Sequence, residues 1–254
     1  MNPDTSPRLT VDGRIATITL RNPARSNSLS PQDLDTLCAH VRAVDAQPDV
    51  LVLRFLAEGK YFCSGYNIMA LADSEAPGSL YFGAAVDVVE AARPVTIAAI
   101  QGGAYGGGTD LSLACDFRIG TPNTNMFMPA VKLGLHFYAS GMRRYVSRLG
   151  LDHAKRLFLT GERIGADEML RIGFLNELVP ADALQDRVQT LSETLANMAP
   201  LALLGVKHHL NRIAYGDMDT QAIAQAVRHS EASEDMKEGA LAWKEKRAPR
   251  FQGR

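Results

Sequence analysis

The sequence predicts a layered α/β fold closed by an all-helical C-terminal segment. Three observations carry this. Short β-branched runs alternate with helically periodic ones from the N-terminus to about Gly120. One run after Pro94, Val95 to Ile100, is short, β-branched and apolar but for Thr96, as a strand buried on both faces is, and it leads through Gly102, Gly103, Gly106, Gly107 and Gly108 into the helical pattern Thr109 to Ala114. After about Met198 no strand signal remains, which divides the chain into residues 1–197 and a helical unit 198–254.

In order, Arg8–Val11 and Arg14–Leu20 flank Asp12-Gly13 and read as a hairpin, because that dipeptide supplies the positive φ of a tight turn. A polar loop spans Arg21 to Ser28. Ser30 is placed to cap a helix, with Pro31 at its first position, Asp33 in its first turn, and Leu34, Leu37, Cys38, Val41 and Val44 on one face. Gln47-Pro48-Asp49 stops it, and Val50–Leu56 follows as a buried strand. After the loop Ala57–Gly65 come a short helix over Tyr66–Ala72, a flexible polar insert Asp73–Gly78 and a helix from Leu80 to Ala92. Asp116–Gly120 and Asn176–Val179 are the last strands. Between them, helical runs from Ser140, Leu151 and Ala166 stop at Gly150, Gly161 and Gly173. Ala183–Asn197 is amphipathic, and Leu201–Ile213, Thr220–Ser230 and Met236–Lys246 form the tail.

Composition excludes several classes of function. With Lys+Arg 27 against Asp+Glu 28 the chain has no basic field for nucleic acid or an anionic membrane. No window approaches the roughly 20 apolar residues that span a bilayer. The first ten residues lack a secretory h-region, and Cys38, Cys63 and Cys115 have no metal-ligand spacing, so a cytoplasmic protein without a metal is expected.

A strand, a glycine cluster and a helix start in succession turn bare backbone N–H groups toward a ligand oxygen. A phosphate loop would need Lys and then Ser or Thr after the last glycine, whereas Thr109-Asp110 stands here and a carboxylate repels phosphate. A cup for one developing oxyanion fits these residues better.

Several segments together carry a resemblance: Gly59 to Ile68 (GKYFCSGYNI), Gln101 to Asp110, Pro129 to Gly134, Gly161 to Glu168 (GERIGADE), Gly173 to Val179, Glu234 to Gly239, and the ending from Glu245 to Phe251. On these the chain resembles the crotonase superfamily (enoyl-CoA hydratase/isomerase family) along nearly its whole length. The resemblance implies a spiral of ββα units, a C-terminal helical subdomain that assembles a homotrimer or a dimer of trimers, and an acyl-CoA substrate, with coenzyme A belonging to the substrate and no separate cofactor. It implies that the thioester oxygen is held by two backbone amides, placed by the motif match at Ser64 and Gly107. The coenzyme is expected near Ala24, Arg25, Ser26, Lys60 and Tyr66.

Hydratases of this family use two glutamates, and here the pattern breaks. The first position is Asp110, still a carboxylate, but the second, after Pro129, is Ala130, which can neither accept nor donate a proton. General acid–base catalysis contributes about 10²–10⁴-fold, so efficient hydration is doubtful. His136 and Tyr138 are the candidates to compensate, with Asp110 as the third catalytic candidate. Hydration, double-bond isomerisation, decarboxylation and silent acyl-CoA binding all stay open.

Overall fold

The computed structural model describes residues 5–67 and 77–254. The short helix expected over Tyr66–Ala72 and the insert at Asp73–Gly78 lie largely outside these residues. The elements that position the site are β1 (Arg8–Asp12), β2 (Ile15–Leu20), α1 (Pro31–Asp45), β3 (Val52–Ala57), α2 (Ser79–Glu90), β4 (Val95–Ile100), β5 (Gly103–Tyr105), α3 (Gly107–Ala114), β6 (Phe117–Gly120) and β7 (Asn125–Phe127). Then follow α4 (Ala139–Leu149), α5 (Leu151–Thr160), β8 (Ile164–Gly165), α6 (Ala166–Arg171), β9 (Glu177–Leu178) and α7 (Leu184–Ala196), and the tail helices α8 (Pro200–Ala214), α9 (Thr220–Glu231) and α10 (Glu234–Glu245).

β1 pairs antiparallel with β2 through the Asp12-Gly13 hairpin, and the sheet then runs parallel through β3, β4, β6 and β9. Its centre explains the nearly continuous apolar run of β4. Ala98 and Ile100 face a core built with α1, α2 and α3, while Val95, Ile97 and Ala99 face a second core beneath α7. Side chains alternate across a pleated strand, so a strand covered on both faces is apolar at nearly every position; the exception, buried Thr96, donates from its amide and hydroxyl to Asp116. The start of α1 is fixed as its sequence suggests. Ser30 accepts from the Asp33 amide while the Asp33 carboxylate accepts from the Ser30 amide, a reciprocal cap of about 1 kcal/mol.

A second sheet, β5-β7-β8, is a departure from the expected elements. Its strands are two or three residues long, and β5 lies inside the glycine cluster that reads as loop. Glycine is depleted in strands generally. Close packing admits it here: a side chain at Gly103 would begin 2.3 Å from the Tyr105 ring, and one at Gly102, just before the strand, 1.9 Å from the Lys60 carbonyl oxygen.

The tail behaves differently from the body. Neither α8 nor α9 contains a buried residue, and Val206, Leu210 and Trp243 stand 57%, 59% and 88% exposed. Ion pairs and caps hold the tail to the body and to itself, including Lys207 with Asp116 at 2.7 Å and Asp235 accepting from the Gln252 and Gly253 amides.

Candidate active site

The site forms where the Cys63–Tyr66 segment lies across the N-terminus of α3. Gly65 permits the approach, since its φ of +85° suits no β-carbon and a side chain there would begin 2.5 Å from the Gly107 nitrogen. Gly107 opens α3, so its N–H precedes the first intrahelical acceptor, and among the described residues no hydrogen bond takes it up. On the opposing segment, Leu29 bridges in parallel to Tyr66 by donating to the Gly65 carbonyl and accepting from the Asn67 amide. In such a bridge the central residue's own N–H points the other way. The Tyr66 amide is therefore unclaimed by this pairing, and no hydrogen bond among the described residues takes it up.

The Ser64 amide is not free in this way. It donates to the Ser26 carbonyl at 3.0 Å, joining the 22–27 loop to the 63–66 segment. The motif match places an oxyanion donor at Ser64, but that amide is already engaged; the unclaimed amide of this segment is that of Tyr66, two residues on, because alternate amides of an extended segment face opposite sides. Neighbouring Cys63 is fully buried. Its thiol donates to the Asn27 carbonyl, and burial pushes its pKa up to about 12, so it is a packing residue and no nucleophile.

A small cavity of about 80 Å³ opens beside this cup, lined among the described residues by Tyr66, Phe82, Gly107, Ala130, His136 and Tyr138, together with other mostly apolar side chains. Tyr138 sits in a slot between two helices. A side chain at Gly83 of α2 or Gly141 of α4 would begin 2.7 Å from its ring, and Phe137 stacks on it with ring centroids 4.2 Å apart.

Behind Tyr138 lies a buried ionic cluster. The Tyr138 hydroxyl donates to Asp110 Oδ2 at 2.6 Å. Arg144 grips the same carboxylate with two bonds, Nε to Oδ1 at 2.9 Å and Nη2 to Oδ2 at 2.8 Å. Its remaining nitrogen, Nη1, donates to Asp87 at 2.7 Å and Glu90 at 2.9 Å. The Arg144 and Asp110 side chains are both fully buried. Burial opposes the arginine's charge, but the hydrogen bonds and charges of Asp110, Glu90 and Asp87 outweigh it and raise its pKa. Burial, followed by the charge of Asp110, drives the Tyr138 phenol well above the ordinary tyrosine range, so it remains a hydrogen-bond donor.

The three catalytic candidates are therefore not equivalent. Asp110 and Tyr138 come together, but Asp110 does not line the cavity. Its oxygens accept from Arg144 and Tyr138, and among the described residues it is Tyr138 that links it to the cavity. His136 is exposed at the cavity rim, where its Nδ1 donates to the Phe137 carbonyl at 2.8 Å, and it joins neither of the other two. Ala130 lies in the cavity wall, buried, with no carboxylate beside it among the cavity-lining residues described.

Four of the five coenzyme candidates lie on two loops tied to each other, and the fifth, Tyr66, lies in the cavity wall. Ala24 and Arg25 are exposed on a short helical turn, Ser26 follows in the left-handed region, and Lys60 is exposed with its ammonium 5.5 Å from the Tyr61 ring centroid. Buried Asn27 ties the two loops together: its Oδ1 accepts from Asn22, and its Nδ2 donates to the Glu58 and Tyr61 carbonyls at 2.9 and 2.8 Å.

Comparison with known proteins decides the family. A profile described as Enoyl-CoA hydratase/isomerase matches residues 10–254. The chain belongs to the enoyl-CoA hydratase/isomerase family. It is 31% identical to a probable enoyl-CoA hydratase of Mycobacterium bovis over 245 residues, covering 94% of this chain and 95% of the relative. It is 32% identical to a carnitinyl-CoA dehydratase of Shigella flexneri over 264 residues, covering 97% and 98%. Among solved structures, an enoyl-CoA hydratase from Bacillus anthracis superposes with a TM-score of 0.91 at 28% identity, over 98% of this chain and all of that one. The crotonase-type α/β fold expected from the motifs is thus the fold observed, and the chain is a lyase/isomerase-type enzyme of that superfamily.

Within the family frame, the residues that sequence reasoning missed are Arg144, Asp87 and Glu90. A signal was present. Asp87 and Glu90 are three apart on an otherwise apolar helix, so they share a face. Arg144 falls on the buried face of α4 beside Tyr145. Nothing in the sequence says that these two faces meet.

Proposed function

We propose that the protein acts on an acyl-CoA thioester whose carbonyl oxygen is held between the amides of Gly107 and Tyr66, stabilising an enolate formed at the neighbouring carbon. The observation that carries this reading is the crossing at Gly65, which leaves two unclaimed N–H groups beside a mostly apolar cavity. Such donors stabilise charge as it develops, and removing one from an oxyanion site typically lowers turnover about 10²–10³-fold. The relatives' names, enoyl-CoA hydratase and carnitinyl-CoA dehydratase, support a CoA thioester as substrate. The coenzyme would lie along the rim formed by Ala24, Arg25, Ser26 and Lys60. The exposed apolar side chains of α8–α10 support their burial in a homotrimer or a dimer of trimers.

Hydration is the weaker reaction on this reading. Adding water to a double bond needs a base for the water and an acid for the carbon. Asp110 is tied to Arg144, and position 130 has no side chain to serve. Decarboxylation of an acyl-CoA bearing a β-carboxyl is the second reading, favoured by a cavity lined, among the described residues, by no carboxylate. The bond from the α-carbon to the carboxyl carbon breaks, CO2 leaves, the electron pair enters the thioester as the enolate, and a proton then reaches the α-carbon. No general base is required.

The experiment compares crotonyl-CoA with malonyl-type CoA thioesters, using the wild type and Ala130→Glu. The expected result is slow or undetectable crotonyl-CoA consumption by the wild type and a gain in the variant. Rapid hydration by the wild type would contradict the assignment of the missing carboxylate as the defect. Failure of every acyl-CoA to bind would remove the reading altogether.

A further inference from the structure

The Arg144 cluster continues past the site into the tail. Glu90 accepts from Arg144 Nη1 with one oxygen and from the Tyr215 hydroxyl with the other. Tyr215 is the residue that ends α8, and its ring lies under the Arg143 guanidinium, 3.7 Å from the ring centroid. Burial, then the Glu90 hydrogen bond, pushes the Tyr215 phenol to about 12, so it stays protonated and donating. An unbroken line of hydrogen bonds thus runs from the cavity wall to the tail: Tyr138 to Asp110, Asp110 to Arg144, Arg144 to Glu90, Glu90 to Tyr215.

We propose that Arg144 is the positioning residue of this site, and that Tyr215 and Glu90 make the placement of Tyr138 depend on α8 being docked. Arg144 has three nitrogens and three carboxylates around it, each bond fixing the plane of the guanidinium. That plane fixes the Asp110 carboxylate, and Asp110 fixes the direction of the Tyr138 hydroxyl. Removing the Tyr215 hydroxyl leaves that Glu90 oxygen with only Arg148 Nη2, at 3.9 Å, as a charged neighbour among the described residues, which lets Glu90 turn toward it and loosens the Arg144 guanidinium. Groups bonded in one network couple non-additively, and double-mutant cycles measure that coupling. The importance of Tyr138 for ligand binding rests on the acyl-CoA reading above, whereas the coupling itself does not.

The test uses the full chain labelled with 3-fluorotyrosine, the Tyr138 fluorine resonance being assigned by its loss in Tyr138→Phe. Tyr215→Phe, which removes only a hydroxyl, is expected to move that resonance, and Glu90→Gln to move it further. Butyryl-CoA, a saturated thioester, is the binding probe. Tyr215→Phe should weaken its affinity by about 3–10-fold, and should bring no further loss when Tyr138→Phe is already present. An unmoved Tyr138 resonance, or losses that multiply in the double variant, would overturn the coupling. If butyryl-CoA does not bind the wild type, the acyl-CoA reading fails while the fluorine resonance still decides the coupling.

Discussion

At the Gly107 end of the cavity the groups that could hold a substrate belong to the backbone, whereas at the Tyr138 end they belong to side chains. The backbone end is specified by glycine. Gly65 lets one segment cross a helix start, and the amide positions then follow from strand and helix geometry. The side-chain end is specified by pairing. Asp110, Tyr138 and Arg144 satisfy one another, and Ala130 leaves the facing wall bare. The contrast teaches that the backbone donors and the side-chain groups beside them are set by separate constraints, glycine at one end and charge pairing at the other.

The sharpest way to break the comparison is to close the backbone end. Gly65→Val, with its Cβ beginning 2.5 Å from the Gly107 nitrogen, should lower turnover of any acyl-CoA substrate at least about 10²-fold, measured by steady-state kinetics. A variant with unchanged turnover would show that the crossing is not the site. Next in size, Arg144→Met should leave Asp110 buried without its counter-charge and lower stability by about 3–5 kcal/mol, read from denaturant unfolding. A midpoint equal to the wild type's would mean that the cluster is not formed.

The pH response sharpens the side-chain end. Tyr138 has a raised pKa in the folded state, so its contribution to stability is present below the unfolded tyrosine value of about 10 and is lost as pH rises through and beyond it. Unfolding free energy should fall above about pH 10, and Tyr138→Phe should flatten part of that slope. The smallest expected effect is at the rim. His136→Gln should change turnover less than about 3-fold across pH 5 to 8, since its ring is solvated and its Nδ1 bonds only the adjacent carbonyl. A lost acidic or basic limb in the pH–rate profile would restore His136 to the mechanism.

Much of this architecture was legible in the sequence. The hairpin at Asp12-Gly13, the Ser30 cap and the doubly buried β4 are local or periodic signals, and each forms where its residues say. β5 was not legible, because Gly102 and Gly103 speak for a loop until the Lys60 backbone is placed 1.9 Å from where a side chain at Gly102 would begin. The site divides in the same manner. The unclaimed Gly107 amide follows from a strand-to-helix turn, whereas the Ser64 amide expected beside it is taken up by Ser26 and the unclaimed one lies two residues on, at Tyr66. Which amide faces the cavity depends on Ser26 and Leu29, residues far away in sequence. The locking of Asp110 was invisible for a similar reason: its partner Arg144 lies 34 residues on, and Asp87 and Glu90 lie on a third element.

The central claim is that the Gly107 and Tyr66 amides converge on a thioester oxygen. Isotope-edited infrared difference spectroscopy with butyryl-CoA labelled at the thioester carbon tests it most directly. Two converging donors should move the carbonyl stretch to lower frequency on binding, and Gly65→Val should abolish the shift. A bound thioester whose carbonyl absorbs as it does in water, or a shift that survives Gly65→Val, would contradict the account.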